Sequence, residues 1–345
     1  MSKLQKPPAL QTGDKIGLIS PSSGLAGMLP HRTKMGISTL KNLGFEVMTG
    51  KHALTVTGYT AGTAQERAED INSFFRNKNI KAIICFIGGN HSNQIIKYLD
   101  FDLISKNPKI FLGYSDATVL HLALNTQSKL VTFYGPAVLT QFSENPSVLP
   151  YTLDYFQKAV MNKNPIGTVR PSLKWTDETL DWFKKEDLKR PRKSSNTKSW
   201  KWLHPGKAKG KLLGGCLPSL MHLRGTKYWP DFSKSILFWE TPESHDDFTK
   251  GISVSDVDSL LSDLELSGTF DQIVGMIVGR PYRYSPNQMK ELIGVISKKL
   301  KPYNIPTLFN IDIGHTDPMI TLPIGVQATL DSSKNELKIL ESGVK

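Results

Sequence analysis

The sequence predicts an α/β protein of two domains. Short apolar runs alternate with segments of helical spacing along most of the chain, a pattern typical of strands joined by helices into a parallel sheet. The length of 345 residues is enough for two domains. Between residues 162 and 208 Pro, Lys, Ser, Trp and Asn replace the alternation. We therefore expect an N-terminal α/β domain over residues 1–161, a linker or substrate loop over 162–208, and a C-terminal α/β domain over 209–345.

The strands expected in the first domain are short runs rich in apolar and β-branched residues. They cover residues 15–20, 45–48, 82–87, 110–112 and 131–134. Helices are expected at 33–43, 63–75, 92–99, 119–124 and 149–160. Functional groups of an open parallel sheet gather beyond the carboxyl ends of its strands. The loops 21–24 and 88–93 and the turn around Ser115 should therefore lie together.

The turn that follows residues 110–112 has the form small-X-Ser-X-small, from Gly113 to Ala117. Small residues at both ends let a strand and a helix approach closely, while the serine between them projects above the sheet edge. This is the logic of the nucleophile elbow, whose usual form is G-x-S-x-G. An ordinary strand-to-helix turn, with Ser115 or Asp116 capping the helix, fits the same residues.

The segment between the domains is basic. Lys184 to Lys211 contains eleven Lys or Arg residues against Glu186 and Asp187. Such a run is usually a solvated loop, and the alternative is attraction of a ligand that carries phosphate.

The same segment holds four of the six tryptophans of the chain, namely Trp175, Trp182, Trp200 and Trp202. Disordered segments are poor in aromatic residues, so part of this one should pack. Trp175 and Trp182 are seven residues apart and would share a face if the segment were helical. They either cover a core or form a platform on which a planar ligand stacks.

The second domain continues the alternation. Strands are expected at 235–239, 272–278 and 306–311, helices at 218–224, 254–264 and 288–300, and a closing hairpin at 324–330 and 336–340. Glu240 ends an apolar strand, where a carboxylate is costly unless it is paired. His315 lies in a loop after a strand. A nucleophilic serine needs a base and a third group that orients the base, and these two residues are the candidates, although an isolated histidine is more often structural.

Composition restricts the remaining function classes. The chain has two cysteines, Cys85 and Cys216, in apolar or Gly-rich surroundings, and no Cys/His spacing typical of a zinc site. We expect reduced, packed thiols, no metal and no cofactor.

There is no apolar run of the ~20 residues that span a bilayer, and the N-terminus does not read as a signal peptide, which favours a cytoplasmic protein. The net charge of +12 is accompanied by no nucleic-acid-binding motif.

Several stretches together resemble the LD-carboxypeptidase family of serine peptidases, and most closely its microcin C immunity branch. They are ISPSSG, IGGNHSNQII, PKIFLGYSDATVLHLAL, TFYGP, GGCLPSL, ILFWETPE and IGHTDPMITLPIGV. They follow the family's order from about residue 13 to 331. Several motifs in the right order are more specific than any single one.

The resemblance implies a fold and a site. It implies a flavodoxin-like N-terminal sheet, a smaller mixed C-terminal domain, an active site in the groove between them, and a homodimer. Ser115 would be the nucleophile, His315 the base and Glu240 the residue that orients it. The remaining implied residues are the oxyanion-hole amides of Gly89 and Asp116 and the substrate-binding residues Gly88, Asn90, Trp175 and Trp182.

These observations leave three candidate functions to be tested. In the immunity branch the enzyme would cleave the amide-type bond of an aminoacyl-nucleotide through an acyl-enzyme, with the base stacked on the tryptophans. The other branch would cleave murein tetrapeptides in cell-wall recycling. A non-catalytic protein that binds a nucleotide or a nucleic acid is the alternative from another class.

Overall fold

The fold was analysed on a computed structural model that describes residues 4–196, 200–244 and 247–345. Two β-sheets, of six and eight strands, form most of the molecule, and helices pack against them. The buried apolar side chains of both halves form one continuous cluster. The α/β class expected from the sequence is confirmed.

The first sheet is parallel except at one edge. Its strands are β1 (Lys15–Ile19), β2 (Glu46–Thr49), β3 (Ile80–Cys85), β4 (Ile110–Gly113), β5 (Thr132–Tyr134) and β14 (Leu322–Ile324). They lie in the order β14-β5-β4-β3-β1-β2. The order 2-1-3-4-5 is that of flavodoxin-like folds, as expected. β14 comes from the C-terminal half of the chain and pairs antiparallel with β5.

The helices of the first half are α1 (Leu25–Met28), α2 (Pro30–Asn42), α3 (Ala64–Arg76), α4 (Phe101–Lys106), α5 (Thr118–Gln127) and α6 (Pro150–Val160). Local sequence explains their ends: Thr63 and Glu66 form a capping box at α3, and Pro30 fits the first turn of α2. The predicted helix at 92–99 is instead a 3₁₀ helix, Ser92–Tyr98. Further 3₁₀ turns lie at Ser115–Ala117, Gln141–Ser143 and Ser332–Lys334.

The second sheet is mixed. Its strands are β6 (Gly167–Val169), β9 (Lys201–His204), β10 (Lys207–Cys216), β11 (Ser235–Glu240), β12 (Gly275–Gly279), β13 (Thr307–Ile311), β15 (Gln327–Asp331) and β16 (Glu336–Ile339). They lie in the order β6-β16-β15-β10-β11-β12-β13-β9. The central strands β10 to β13 are parallel, and β15 and β16 form the expected hairpin. The helices of this half are α7 (Glu186–Lys189), α8 (Leu217–Met221), α9 (Val254–Leu266), α10 (Thr269–Gln272) and α11 (Pro286–Leu300).

Residues 162–208 contribute to the second sheet. β6 and β9 form its two edges, and a separate ribbon pairs β7 (Lys174–Trp175) with β8 (Ser195–Asn196). Trp200 is buried and donates from Nε1 to Asp312, 3.2 Å away. Trp202 donates from Nε1 to Asn335. Much of this segment is therefore packed structure, and these two tryptophans bond to residues of the second half.

Both cysteines, Cys85 and Cys216, are buried free thiols. Within the described residues no helix has the length and apolar character needed to cross a bilayer.

Candidate active site

Ser115 lies on a strained turn between β4 and α5. Its φ of 60° is in the left-handed region, which costs a residue with a side chain about 1–3 kcal/mol and is common at functional sites. A Cβ on Gly113 would lie 2.9 Å from Cys85 Sγ and 3.2 Å from Ala117 Cβ. The small residues at both ends of the motif are therefore needed for close packing, as the elbow interpretation predicts.

Three side chains from both halves of the chain meet at this turn. Ser115 Oγ lies 3.0 Å from His315 Nε2, and His315 Nδ1 lies 2.7 Å from Glu240 Oε2. Glu240 is the last residue of β11 and is fully buried, while His315 follows β13. The structure thus brings the three residues together with the connectivity of a nucleophile, a base and a carboxylate that orients the base.

A fourth residue, Tyr134, closes this chain of hydrogen bonds into a ring. Its hydroxyl donates to Glu240 Oε1 over 2.6 Å and accepts the N–H of Ser115 over 3.1 Å. Burial raises the pKa of Tyr134 well above its usual value, and the neighbouring Glu240 carboxylate raises it further. The hydroxyl therefore keeps its proton and fixes Glu240 Oε1.

The environment of His315 favours the imidazolium ion. Glu243, after β11, places Oε2 3.4 Å from Nε2, the same nitrogen that contacts Ser115. Burial lowers the pKa of His315, but Glu240 and Glu243 outweigh it and raise the pKa to about 9. The rings of Tyr114 and Tyr282 pack edge-on against the imidazole, with centroids 5.0 and 6.4 Å away.

Gly314 provides the space in which Glu240 reaches His315. It has φ of +93°, and a Cβ at this position would overlap the Glu240 carboxylate. Both the backbone conformation and the close approach therefore require glycine here.

The loop after β3 lies directly against Ser115. A Cβ on Gly88 would lie 2.9 Å from Ser115 Cβ and 3.2 Å from the backbone N of Asp116. This places the Gly88-Gly89 pair beside the amide of Asp116, which begins the turn into α5. Amides at such a position can hold a developing oxyanion.

Asp116 also holds the loop after β3 through its side chain. Its carboxylate is fully buried, and Oδ2 accepts the backbone N–H groups of His91 and Ser92, both at 2.9 Å. Arg67 donates to the carbonyl of His91 at 3.1 Å. Asn90, the residue before His91, has Oδ1 2.9 Å from His222 Nε2, which links the loop to the end of α8.

Trp175 lies on β7, in the ribbon that β7 forms with β8. Thr176, the next residue, pairs through its backbone with Asp317, two residues after His315. The Arg280 guanidinium lies 5.1 Å from the Trp175 ring centroid. Trp175 lines a cleft of about 280 Å³, together with Thr176, Asp177, Glu178, Lys193, Ser195 and Arg283.

Trp182 lies in a different contact network, and neither it nor Trp175 is on a helix. Its ring is covered on one face by the guanidinium of Arg32, 4.1 Å from the centroid. Arg32 also forms a buried ion pair with Asp187 at 2.7 Å. This network attaches α7 to the start of α2.

The basic segment is held by acidic partners over part of its length. Arg192 contacts Glu144 at 2.5 Å and Asp317 at 2.7 Å, and Arg190 pairs with Glu178 at 2.8 Å. Lys198 lies outside the described residues. Lysines of the segment are paired as well: Lys184 lies 3.2 Å from Asp181 and Lys207 lies 3.0 Å from Asp331.

The described residues contain no group of three or more His, Cys, Asp or Glu side chains that could hold a metal ion.

The two-sheet fold with a serine, a histidine and a glutamate at the junction of the halves is that of a serine hydrolase. The chain belongs to the LD-carboxypeptidase family, whose N-terminal domain matches residues 16–135 and whose C-terminal domain matches residues 209–330. The family and the class of enzyme expected from the sequence are confirmed.

Two named relatives represent different activities. The Microcin C7 self-immunity protein MccF of Escherichia coli is 32% identical over 335 residues, 96% of this chain and 94% of that protein. A Bacillus subtilis protein named "Probable murein peptide carboxypeptidase" is 31% identical over 343 residues, 98% of this chain and 95% of that protein.

Solved structures agree with the fold. Wild-type MccF in the apo state matches with a TM-score of 0.91 and 32% identity, over 99% of this chain and all of that chain. A structure of MccF in complex with aspartyl sulfamoyl adenosine matches with the same score, identity and coverage.

Sequence reasoning missed Tyr134, Glu243 and Tyr282. Tyr134 carried a usable signal, because a hydroxyl at the carboxyl end of a buried strand next to β4 must find a partner near Ser115. Glu243 is only three residues from Glu240, but nothing in the spacing indicates that both carboxylates contact the histidine.

Proposed function

We propose that this protein is a serine hydrolase that cleaves the amide-type bond of aminoacyl-nucleotide compounds through an acyl-enzyme. The observation that carries the proposal is the unbroken hydrogen-bonded series from Ser115 Oγ through His315 to the buried Glu240. A serine hydroxyl is a weak nucleophile unless a base is positioned to take its proton.

In the proposed mechanism Ser115 Oγ attacks the acyl carbonyl carbon while its proton passes to His315 Nε2. Glu240 holds Nδ1–H and stabilises the imidazolium. The backbone N–H groups of Gly89 and Asp116 hold the oxyanion, assisted by the N-terminal end of α5. His315 then gives the proton to the leaving nitrogen, and water activated by the same histidine releases the acid from Ser115.

The proposed substrate class rests on the relatives and on the cleft beside Trp175. MccF has been solved with aspartyl sulfamoyl adenosine and with glutamyl sulfamoyl guanosine, which carry an acyl group on a nucleoside. We assign base stacking to Trp175 and to the face of Trp182 that Arg32 leaves uncovered, and contacts to the acyl end to Gly88 and Asn90. Lys193 and Arg283 line the same cleft as Trp175 and suit an anionic linker.

A second candidate is cleavage of a murein tetrapeptide. It is supported by the full-length similarity to the B. subtilis relative named for that activity. The proposed triad serves both reactions, and only the ligand groove distinguishes them.

A turnover assay read by mass spectrometry separates the two. Wild type, Ser115→Ala and the control Ser105→Ala, whose serine lies on α4, are each given an aminoacyl sulfamoyl adenosine and, separately, an L,D-linked murein tetrapeptide. We expect wild type and Ser105→Ala to cleave the adenosine compound and Ser115→Ala to bind it without cleavage. Cleavage of the tetrapeptide alone would move the protein to cell-wall recycling, and full activity of Ser115→Ala would refute the mechanism.

The stacking assignment has its own test. Trp175→Ala combined with Trp182→Ala should lower kcat/KM for the adenosine compound, since stacking contributes ~1–3 kcal/mol per base. Trp202→Ala is the matched control, because that indole bonds to Asn335 in the second half. An unchanged kcat/KM in the double variant would reject the platform.

We also propose a homodimer, as the family resemblance implies. Sedimentation equilibrium of the wild-type chain measures it, and a monomer at micromolar concentration would contradict it.

A further inference from the structure

Glu243 is the acidic group at the proposed site that the mechanism does not use. It lies in the loop after β11, and its backbone pairs with Gly251 across the base of that loop. Its side chain is 34% exposed, whereas that of Glu240 is fully buried. Glu243 is therefore accessible to a ligand, while Glu240 is enclosed.

The other carboxylates of this region already have hydrogen-bond or ion-pair partners. Tyr134 and His315 occupy the two oxygens of Glu240. Asp317 is paired with Arg192, and Asp312 with Arg280. Among the described residues no Lys or Arg forms an ion pair with Glu243, and its one ionic contact is His315 Nε2 at 3.4 Å.

That contact cannot persist during the proposed reaction, because Nε2 must be neutral to accept the proton of Ser115. A neutral imidazole would leave the Glu243 carboxylate at the mouth of the site without a cation. A partly buried carboxylate is less favourable without a partner, so another cation that replaces the imidazolium beside Glu243 would stabilise this state.

The distances show where that cation would come from. Glu243 Oε2 lies 3.4 Å and Ser115 Oγ 3.0 Å from the same nitrogen, His315 Nε2. An acyl carbonyl positioned for attack lies about 3–3.5 Å from the nucleophilic oxygen. Substituents on the next carbon of the acyl group are then within reach of Glu243.

We propose that Glu243 is a specificity-determining residue that binds a cationic amine of the substrate's acyl group, either its α-amine or a basic side chain. This inference rests on the proposed function. The amine takes the place of the imidazolium beside the carboxylate, so a cationic substrate both binds to Glu243 and releases His315 to act as a base. Acidic acyl groups are disfavoured at the same position by like-charge repulsion.

Binding to Ser115→Ala, measured by calorimetry, tests the subsite without requiring turnover. The probes are lysyl, norleucyl, glutamyl and Nα-acetyl-lysyl sulfamoyl adenosine. The norleucyl compound removes the side-chain cation, and the acetylated compound removes the α-amine. We expect at least one of these two losses to weaken binding about 10- to 100-fold, as for a hydrogen bond to a charged group, and the glutamyl compound to bind more weakly than the lysyl one.

Variants at position 243 separate recognition from a structural role. Glu243→Gln, made in the Ser115→Ala background, should abolish the preference for the amine. Glu243→Lys should reverse the order of lysyl and glutamyl binding, which a merely structural residue would not do. Glu291→Gln, which removes a carboxylate from the exposed surface of α11, is the control and should keep the wild-type order.

The outcomes distinguish this inference from the proposed function. The role of Glu243 is overturned if all four compounds bind equally, or if the preference for the amine survives Glu243→Gln. This holds even if the enzyme with Ser115 intact cleaves all four compounds. A preference for the amine that depends on Glu243 upholds the role of Glu243. If the enzyme with Ser115 intact then cleaves none of the compounds, only the proposed function fails.

Discussion

Replacement of Tyr134 by phenylalanine is the sharpest test of how the site is supported. The substitution deletes one hydroxyl that donates to Glu240 Oε1 at 2.6 Å and accepts from the Ser115 N–H at 3.1 Å. Both Tyr134 and Glu240 are fully buried, so water does not replace the lost bonds. The ring itself, which packs 5.5 Å from Phe238, is retained.

The magnitude follows from the two bonds. A hydrogen bond to a charged group contributes ~1.5–3 kcal/mol and a neutral one ~0.5–1.5 kcal/mol. We therefore expect Tyr134→Phe to lower the free energy of unfolding by about 2–4.5 kcal/mol. Because Ser115 and Glu240 both lose a contact that fixes them, kcat/KM should fall about 10- to 100-fold, equivalent to ~1.4–2.7 kcal/mol of transition-state stabilisation.

The direction of a pKa change adds a third readout. Without the hydroxyl, the Glu240 carboxylate is less well solvated and holds the proton of His315 more tightly. The apparent pKa of His315 in the pH profile of kcat/KM should therefore rise.

Urea unfolding and steady-state kinetics measure these effects, with Tyr114→Phe as the matched control. The Tyr114 ring also packs against His315, but its hydroxyl faces Thr140 and Gln141. If Tyr134→Phe unfolds at the wild-type urea concentration and keeps its kcat/KM, the hydroxyl does not support the site.

Two more predictions concern the histidine and the glycine beside it. Burial lowers the pKa of His315, but Glu240 and Glu243 raise it to about 9, and the neutral imidazole is the base. The kcat/KM should therefore increase with pH and level off above about 9, and a plateau already reached below neutral pH in a pH–rate profile would contradict this. Gly314→Ala should lower both activity and the free energy of unfolding, by more than ~1 kcal/mol, because a Cβ there overlaps the Glu240 carboxylate at φ +93°. Its control is Gly294→Ala within α11, where an added Cβ would meet no atom outside the helix's own backbone within 4 Å. This change should stabilise the helix by ~0.5–1 kcal/mol, and equal urea midpoints for the two variants would refute the steric argument.

The sequence predicted the parts of the fold that depend on local pattern. The strands around 82–87 and 110–112 were found because buried parallel strands are continuous apolar runs. The Ser115 turn was found because close packing restricts its flanking positions to small residues. The pairing of Ser115 with His315 and Glu240 came from the family resemblance, since spacing alone does not show which loops of two sheets meet.

The parts that were missed depend on tertiary contacts. The two edge strands within residues 162–208 are only three and four residues long, and their pairing with β16 and β13 defines them. A helix would have placed Trp175 and Trp182 on one face, but neither residue is helical. A spacing of seven residues also occurs by chance in an irregular segment. Their guanidinium partners, Arg280 and Arg32, lie far away in the sequence.

The position of β14 limits how this enzyme can be divided or recombined. The strand follows His315 in the chain but lies at the edge of the other sheet, where Leu322 is the register partner of Tyr134. A fragment that ends before the second half would therefore lack β14 and expose the edge of β5. That edge carries Tyr134, whose hydroxyl bonds to the Ser115 N–H. The halves also cannot swing apart as rigid bodies without breaking this ladder. The two family domains match separate parts of the sequence, but because they share this sheet they must be engineered as one unit.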